Sequence, residues 1–112
     1  MKHKIVLVPF PFDDLSTAKV RPAVCITNEI EPYGHIVVAF ITSRVSGEPS
    51  ATDLNIETTD PHFEETGLKV SSAVRLHRLM TISRSLIKRE LGRLADPHIV
   101  AVEERLRKLF EI

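Results

Sequence analysis

The sequence predicts a mainly β fold: a strongly twisted, barrel-like antiparallel sheet with one C-terminal α-helix. Two observations predict it directly. Short apolar runs rich in Val and Ile recur from Ile5 onward, each bounded by Pro, Gly, Asp or Ser. The clearest helical spacing comes last, where Ile99, Val102, Leu106 and Leu109 recur at intervals of three and four. A third is negative. A doubly wound parallel sheet needs helices alternating with its strands, and no such alternation is present. With 112 residues the chain has enough material for one modest core, so residues 1–112 read as a single domain.

Taken in order, Ile5-Val6-Leu7-Val8 is β-branched, apolar and stopped by Pro9, which predicts a buried strand. Residues 10–20 form a loop carrying the turn formers Pro11, Asp13, Asp14 and Ser16. Ala23 to Thr27 is a second strand, and His35 to Ile41 a third, with Pro32-Tyr33-Gly34 as the turn between them. A short strand follows at Asp53 to Ile56, and the composition of 57–69 signals a long loop. Val70 to Leu76 alternates in the manner of a strand, and Leu79 to Ile82 continues the sheet. Ser83 to Leu86 forms one helical turn ahead of a strand near Leu91. Asp96 is the expected N-cap of the last helix, with Pro97 at its first position.

Composition removes several function classes. Lys plus Arg number 15 and Asp plus Glu number 15, so a highly basic protein that wraps nucleic acid is excluded, though a local basic patch is not. Basic residues gather at 75–93 and acids at 48–65, which predicts charges segregated in space. The one cysteine, Cys25, has no disulfide partner within the chain and reads as a small buried hydrophobe. Five apolar residues after Met-Lys-His-Lys are too few for a signal peptide, and no segment approaches the length of a membrane span. A cytoplasmic location is expected.

The four glycines are scattered at 34, 47, 67 and 92, so no phosphate-cradling loop exists. The histidines at 3, 35, 62, 77 and 98 lack zinc-ligand spacing. Asp13-Asp14 reads as solvated surface before it reads as a cation site. What remains is a metal-free anion site built from Arg21, Thr42, Ser43 and Arg78. Arg21 is placed where an irregular loop meets the rigid sheet, and Thr42-Ser43-Arg44 closes the next apolar strand in an equivalent setting. RNA cleavage needs no metal if the substrate's own 2′-hydroxyl attacks phosphorus, and a guanidinium fork with a hydroxyl donor matches the developing phosphoryl charge. The plainer readings are that Arg21 pairs with Asp13 or Asp14 and that Thr42 merely ends a strand.

The order Ile5-Val6-Leu7-Val8-Pro9-Phe10-Pro11-Phe12-Asp13-Asp14-Leu15-Ser16, then Lys19-Val20-Arg21-Pro22-Ala23-Val24, Ile41-Thr42-Ser43 and Ser71-Ser72-Ala73-Val74-Arg75-Leu76, resembles the MazF/PemK family of toxin endoribonucleases. Thr81-Ile82, Leu91-Gly92-Arg93-Leu94 and the closing helix extend the resemblance over nearly the whole chain. The resemblance implies a barrel-like fold, a homodimer, a cognate antitoxin, no cofactor and no metal. The implied activity is cleavage of single-stranded RNA to 2′,3′-cyclic phosphate and 5′-hydroxyl ends. It carries the catalytic roles onto Arg21 and Thr42. RNA contacts are expected from Phe12, Asp13, Asp14, Ser16 and Lys19, from Ser43 and Arg44, and from His77 and Arg78. His3-Lys4 stands where many members have Gly-Asp, and His77 where an acid is common.

Two other functions fit the same fold. A CcdB-like gyrase-binding toxin depends on a C-terminal tryptophan motif, whereas this chain has no tryptophan and ends Leu109-Phe110-Glu111-Ile112. A non-catalytic RNA-binding module would hold phosphate at the same residues without cutting.

Overall fold

The computed structural model describes residues 1–10, 19–48 and 50–112, with the backbone alone at Phe10. The β-branched runs form β1 (Lys4–Phe10), β2 (Lys19–Cys25), β3 (His35–Thr42) and β4 (Asp53–Ile56), followed by β5 (Ser72–Ser83) and β6 (Arg89–Arg93). They make one six-stranded sheet in the order β4-β5-β3-β2-β1-β6, antiparallel at every pairing. The sheet curls into a half-barrel. One helical turn, α1 (Phe63–Thr66), and the long helix α2 (Asp96–Phe110) accompany it.

Both faces of the central strands are covered, which is why their sequences run apolar without a polar alternation. Ile5, Val24, Ala39, Ile41 and Val74 join Leu94 and Val102 in one core, against which Ile99 and Leu106 of α2 also pack. Val6, Val8, Ala23, Cys25, Val38 and Ile82 point the other way into a second core. Each fully buried side chain of this size contributes about 2 kcal/mol of burial free energy. Cys25 is wholly buried, as the sequence predicts, and loss of solvation pushes its thiol up to about 11. It is no nucleophile at neutral pH.

The structure amends several local expectations. The segment 57–69 is not all loop: it contains α1, whose Phe63 packs on the first core with the neighbouring Leu68. Asp60 ties this segment to α2, accepting the N–H of His62 (2.7 Å) and lying 2.8 Å from Nε2 of the buried His98. The two pieces expected at Val70–Leu76 and Leu79–Ile82 are one strand that starts at Ser72, leaving Val70 exposed. The N-cap of α2 is Ala95, not Asp96, since the Ala95 carbonyl already accepts the N–H of Ile99 (3.0 Å). Burial of Leu94 and Ala95 turns the chain into the helix one residue early. Asp96 then occupies the first turn, where the helix dipole still favours its charge. The basic and acidic stretches also meet, because β4 lays Asp53 directly across from Arg75.

Candidate functional site

The site starts from a missing hydrogen. Ile26 donates its N–H to the Val37 carbonyl (2.8 Å), which sets the parity of β2. Stepping back by twos, Val24 and then Pro22 turn their backbone nitrogens toward β3. Proline has no N–H to donate there. The β2–β3 ladder ends at Ala23–Phe40, while β2 remains paired to β1 through Pro22, Arg21, Val20 and Lys19. Carried two steps past the last rung, the register sets Arg21 opposite Thr42.

A cavity of about 290 Å³ opens at this point, walled by Arg21, Phe40, Ile41, Thr42, Ser43, Arg44, Arg75 and Arg78. β5 reaches it through a bulge. Ala39 pairs with Leu79 and Ile41 with Val74, so a two-residue advance on β3 is matched by five on β5. Bulges re-aim side chains beside functional sites. Here the bulge lets Arg75 and Arg78, which would face opposite ways on a regular strand, share one cavity wall.

Arg75 shares a carboxylate with His77. Its Nε is buried and 3.7 Å from Oδ1 of the largely buried Asp53, an ion pair too long to be a hydrogen bond. His77 approaches the same oxygen at 3.9 Å through Nδ1. Arg105 of α2 donates from Nε to the Asp53 carbonyl (2.8 Å) and from Nη1 to Ala101 (3.0 Å), fixing the start of β4. The Asp53 carboxylate thus stands beside Arg75 as a counter-charge, without a hydrogen bond to Nε. On β3, the Arg44 N–H donates to Thr42 Oγ1 (3.1 Å). That bond takes an oxygen lone pair and leaves the hydroxyl proton to be donated.

Four guanidinium groups thus border the cavity, with no carboxylate among its described wall residues. Such a site selects an anion, and the planar forks match phosphoryl oxygens two at a time. The hydroxyls of Thr42 and Ser43 add neutral donors.

Of the residues singled out in the sequence, Arg21, Thr42, Ser43, Arg44 and Arg78 converge on this cavity. Arg21 differs in placement from the expectation: it is the third residue of β2, opposite Val8, and not the strand's first. Lys19 takes that first position, paired with Phe10 and away from the described wall. His77 turns to Asp53. Phe12, Asp13, Asp14 and Ser16 lie outside the described residues. Arg75 was not among the expected site residues. The signal for it lay in Val74-Arg75-Leu76, where a cation between two core residues must face away from that core. Among the described residues no group of three or more His, Cys, Asp or Glu could hold a metal ion, and no helix is long and apolar enough to cross a membrane.

The family described as PemK-like, MazF-like toxin of type II toxin-antitoxin system matches residues 2–110. No protein of curated function matches the chain by sequence. Among solved structures, the Mycobacterium tuberculosis toxin MazF-mt6 is similar with a TM-score of 0.73 at 24% identity, covering 97% of each chain. MazF from Deinococcus radiodurans superposes with a TM-score of 0.73 at 19% identity, over 99% of this chain and 96% of that one. An endoribonuclease from a mycobacterial species, in complex with its cognate antitoxin, gives 0.73 at 12% identity, over 100% and 95%. These likenesses establish the curled half-barrel with its C-terminal helix.

Proposed function

The chain belongs to the PemK-like, MazF-like toxins of type II toxin–antitoxin systems, and on that premise we propose that it is a sequence-specific, metal-independent endoribonuclease acting on single-stranded RNA. The observation that carries this reading is that Arg21 and Thr42 line one cavity whose wall also holds Arg44, Arg75 and Arg78. The RNA 2′-oxygen attacks the adjacent phosphorus and loses its proton to solvent. The bond from phosphorus to the 5′-oxygen breaks and that oxygen takes up a proton. The products are a 2′,3′-cyclic phosphate and a 5′-hydroxyl. Arg21 stabilises the charge that builds on the phosphoryl oxygens. It acts electrostatically, because a guanidinium with a pKa above roughly 12 is a poor proton donor. Thr42 donates its hydroxyl hydrogen to the same oxygens, a bond that strengthens as charge develops.

The biological reading follows from the activity. A single domain over residues 1–112 cuts messenger RNA in the cytoplasm and arrests growth until a cognate antitoxin covers it. Solved relatives held by an antitoxin, including MazE-MazF of Deinococcus radiodurans, support that partner. A homodimer is expected, and light scattering at tens of micromolar tests it.

The decisive experiment incubates the purified protein with RNA oligonucleotides in excess EDTA. Cutting should persist, and one deoxynucleotide on the 5′ side of the scissile phosphate should block that bond alone. Cleavage of the substituted bond, or activity lost in EDTA and restored by magnesium, overturns the mechanism. A gyrase-binding toxin or a purely RNA-binding module leaves every oligonucleotide intact.

A further inference from the structure

Two glycines press the segment after α1 onto β6. Gly67 sits at φ +71, and a Cβ built on it would lie 2.0 Å from the Leu91 carbonyl oxygen. A Cβ on Gly92 would lie 2.2 Å from the Glu65 carbonyl oxygen. The two backbones are therefore in direct contact from both sides, and neither tolerates a side chain between them. This seats Leu68 and Val70 as a fixed wall facing Leu7, Pro22 and Ile41 across a second cavity of about 360 Å³. That volume lies within the range of small-ligand sites, roughly 300–1,000 Å³.

The chemistry of this cavity is mixed in an informative way. Its wall is apolar on both sides, with Leu91 completing it. Ser43 and Ser72 bring hydroxyl groups, and Arg21, Lys69 and Arg89 bring positive charge, with no carboxylate among the described lining residues. The matching ligand has apolar faces, polar edges and an attached anion. Arg21, Ile41 and Ser43 line this cavity and the arginine-walled one alike, so the two share a partition. A phosphodiester held at Arg21 would bring an adjoining nucleoside within reach of the second cavity.

We propose that this second cavity is a nucleobase pocket that reads one unpaired base next to the cleaved phosphodiester; the inference rests on the nuclease reading above. Unpaired bases are recognised by burying a flat face and hydrogen-bonding an edge. The apolar wall supplies the first and the Ser43 hydroxyl the second, while Ser72 Oγ already donates to the Val70 carbonyl (2.8 Å) and can only accept. The rigid seat of Leu68 and Val70 gives the pocket its shape before RNA arrives, as selective sites require.

The test cleaves an RNA pool randomised around the cut site and sequences the ends. It compares the parent with Leu68→Ala, which widens the pocket, and Val70→Glu, which places a carboxylate at its exposed rim. The preference at one position beside the cut should fall about tenfold in Leu68→Ala, the scale of a lost apolar contact, while preferences elsewhere hold. Because Leu68 also packs on the core, the exposed Val70→Glu keeps the test open if that variant unfolds. It should weaken binding of an uncleavable deoxy-substituted RNA by a comparable factor. If the parent cuts and both variants keep its base preference and affinity, the pocket is overturned. Loss of antitoxin binding with an unchanged RNA profile overturns it in favour of a peptide occupant. A parent that cuts no RNA fails the nuclease reading itself and takes the pocket with it.

Discussion

Gly34 and Gly67 share one backbone conformation, at φ +70 and φ +71, yet differ in their surroundings. Alanine at each position therefore separates two costs that usually come together. At Gly34 a new Cβ meets nothing within 4 Å, so Gly34→Ala suffers only the left-handed backbone penalty of about 1 kcal/mol. At Gly67 the same penalty is joined by a Cβ at 2.0 Å from the Leu91 carbonyl oxygen and 2.5 Å from its carbon. These are strand backbone atoms, and no flexible side chain can swing away to relieve them. Overpacking of this kind costs about 1–3 kcal/mol, so Gly67→Ala should lose about 3 kcal/mol in all. For a chain of this size each kcal/mol lowers Tm by about 4 °C, which predicts a gap of roughly 8 °C between the two variants. Thermal and urea unfolding of both proteins at one pH and concentration measures it. Equal losses would mean that the segment after α1 does not bear on β6, and the preformed wall of the second cavity would go with it.

Arg21→Ala should cut RNA about a hundredfold more slowly or worse, with little change in unfolding midpoint because the side chain is exposed; a folded variant as fast as the parent sinks its catalytic role. Arg21→Lys should also be poor, since an ammonium cannot reproduce the fork. Thr42→Val should lower turnover far more than RNA affinity, alongside about 1 kcal/mol of stability from the lost Arg44 bond; equal losses in both make Thr42 a binding residue only. The Asp60 carboxyl is held below the ordinary carboxylate range, chiefly by the His62 N–H and then by His98. Its stabilisation is complete above the unfolded pKa of about 3.9 and is lost as pH falls through the lower folded value. Asp60→Asn should then lower the urea midpoint at pH 7 while shrinking the difference between parent and variant at pH 3, and a constant difference at both pH values refutes the linkage.

Strands were legible wherever apolar β-branched runs met turn residues, because both physical signals are local. Cys25 was legible for the same reason: its neighbours are all core residues. What depended on contacts distant in sequence was harder to see. The turn at Phe63–Thr66 is too short to show a helical period, and it exists because Phe63 finds the core and Asp60 finds His98. The place of Arg75 between Val74 and Leu76 turns it away from the core, but the cavity it lines is produced by a register slip between β3 and β5, and pairing slips leave no mark on either strand alone. Arg21 was recognised from its place ahead of Pro22 in the sequence. The structural reason for that placement, a proline nitrogen turned toward β3, required the parity of the whole strand.

That nitrogen has a consequence for control. A gap held open by packing closes in some fraction of molecules, and ligands then bind more weakly by that fraction. At Pro22 that route is narrowed, because the nitrogen carries no hydrogen for the bond that would extend the ladder. The end of the β2–β3 ladder at Ala23–Phe40 is thus favoured by the covalent structure of the chain itself. On the nuclease reading, an occupant that fills the opening is the direct way to block the site.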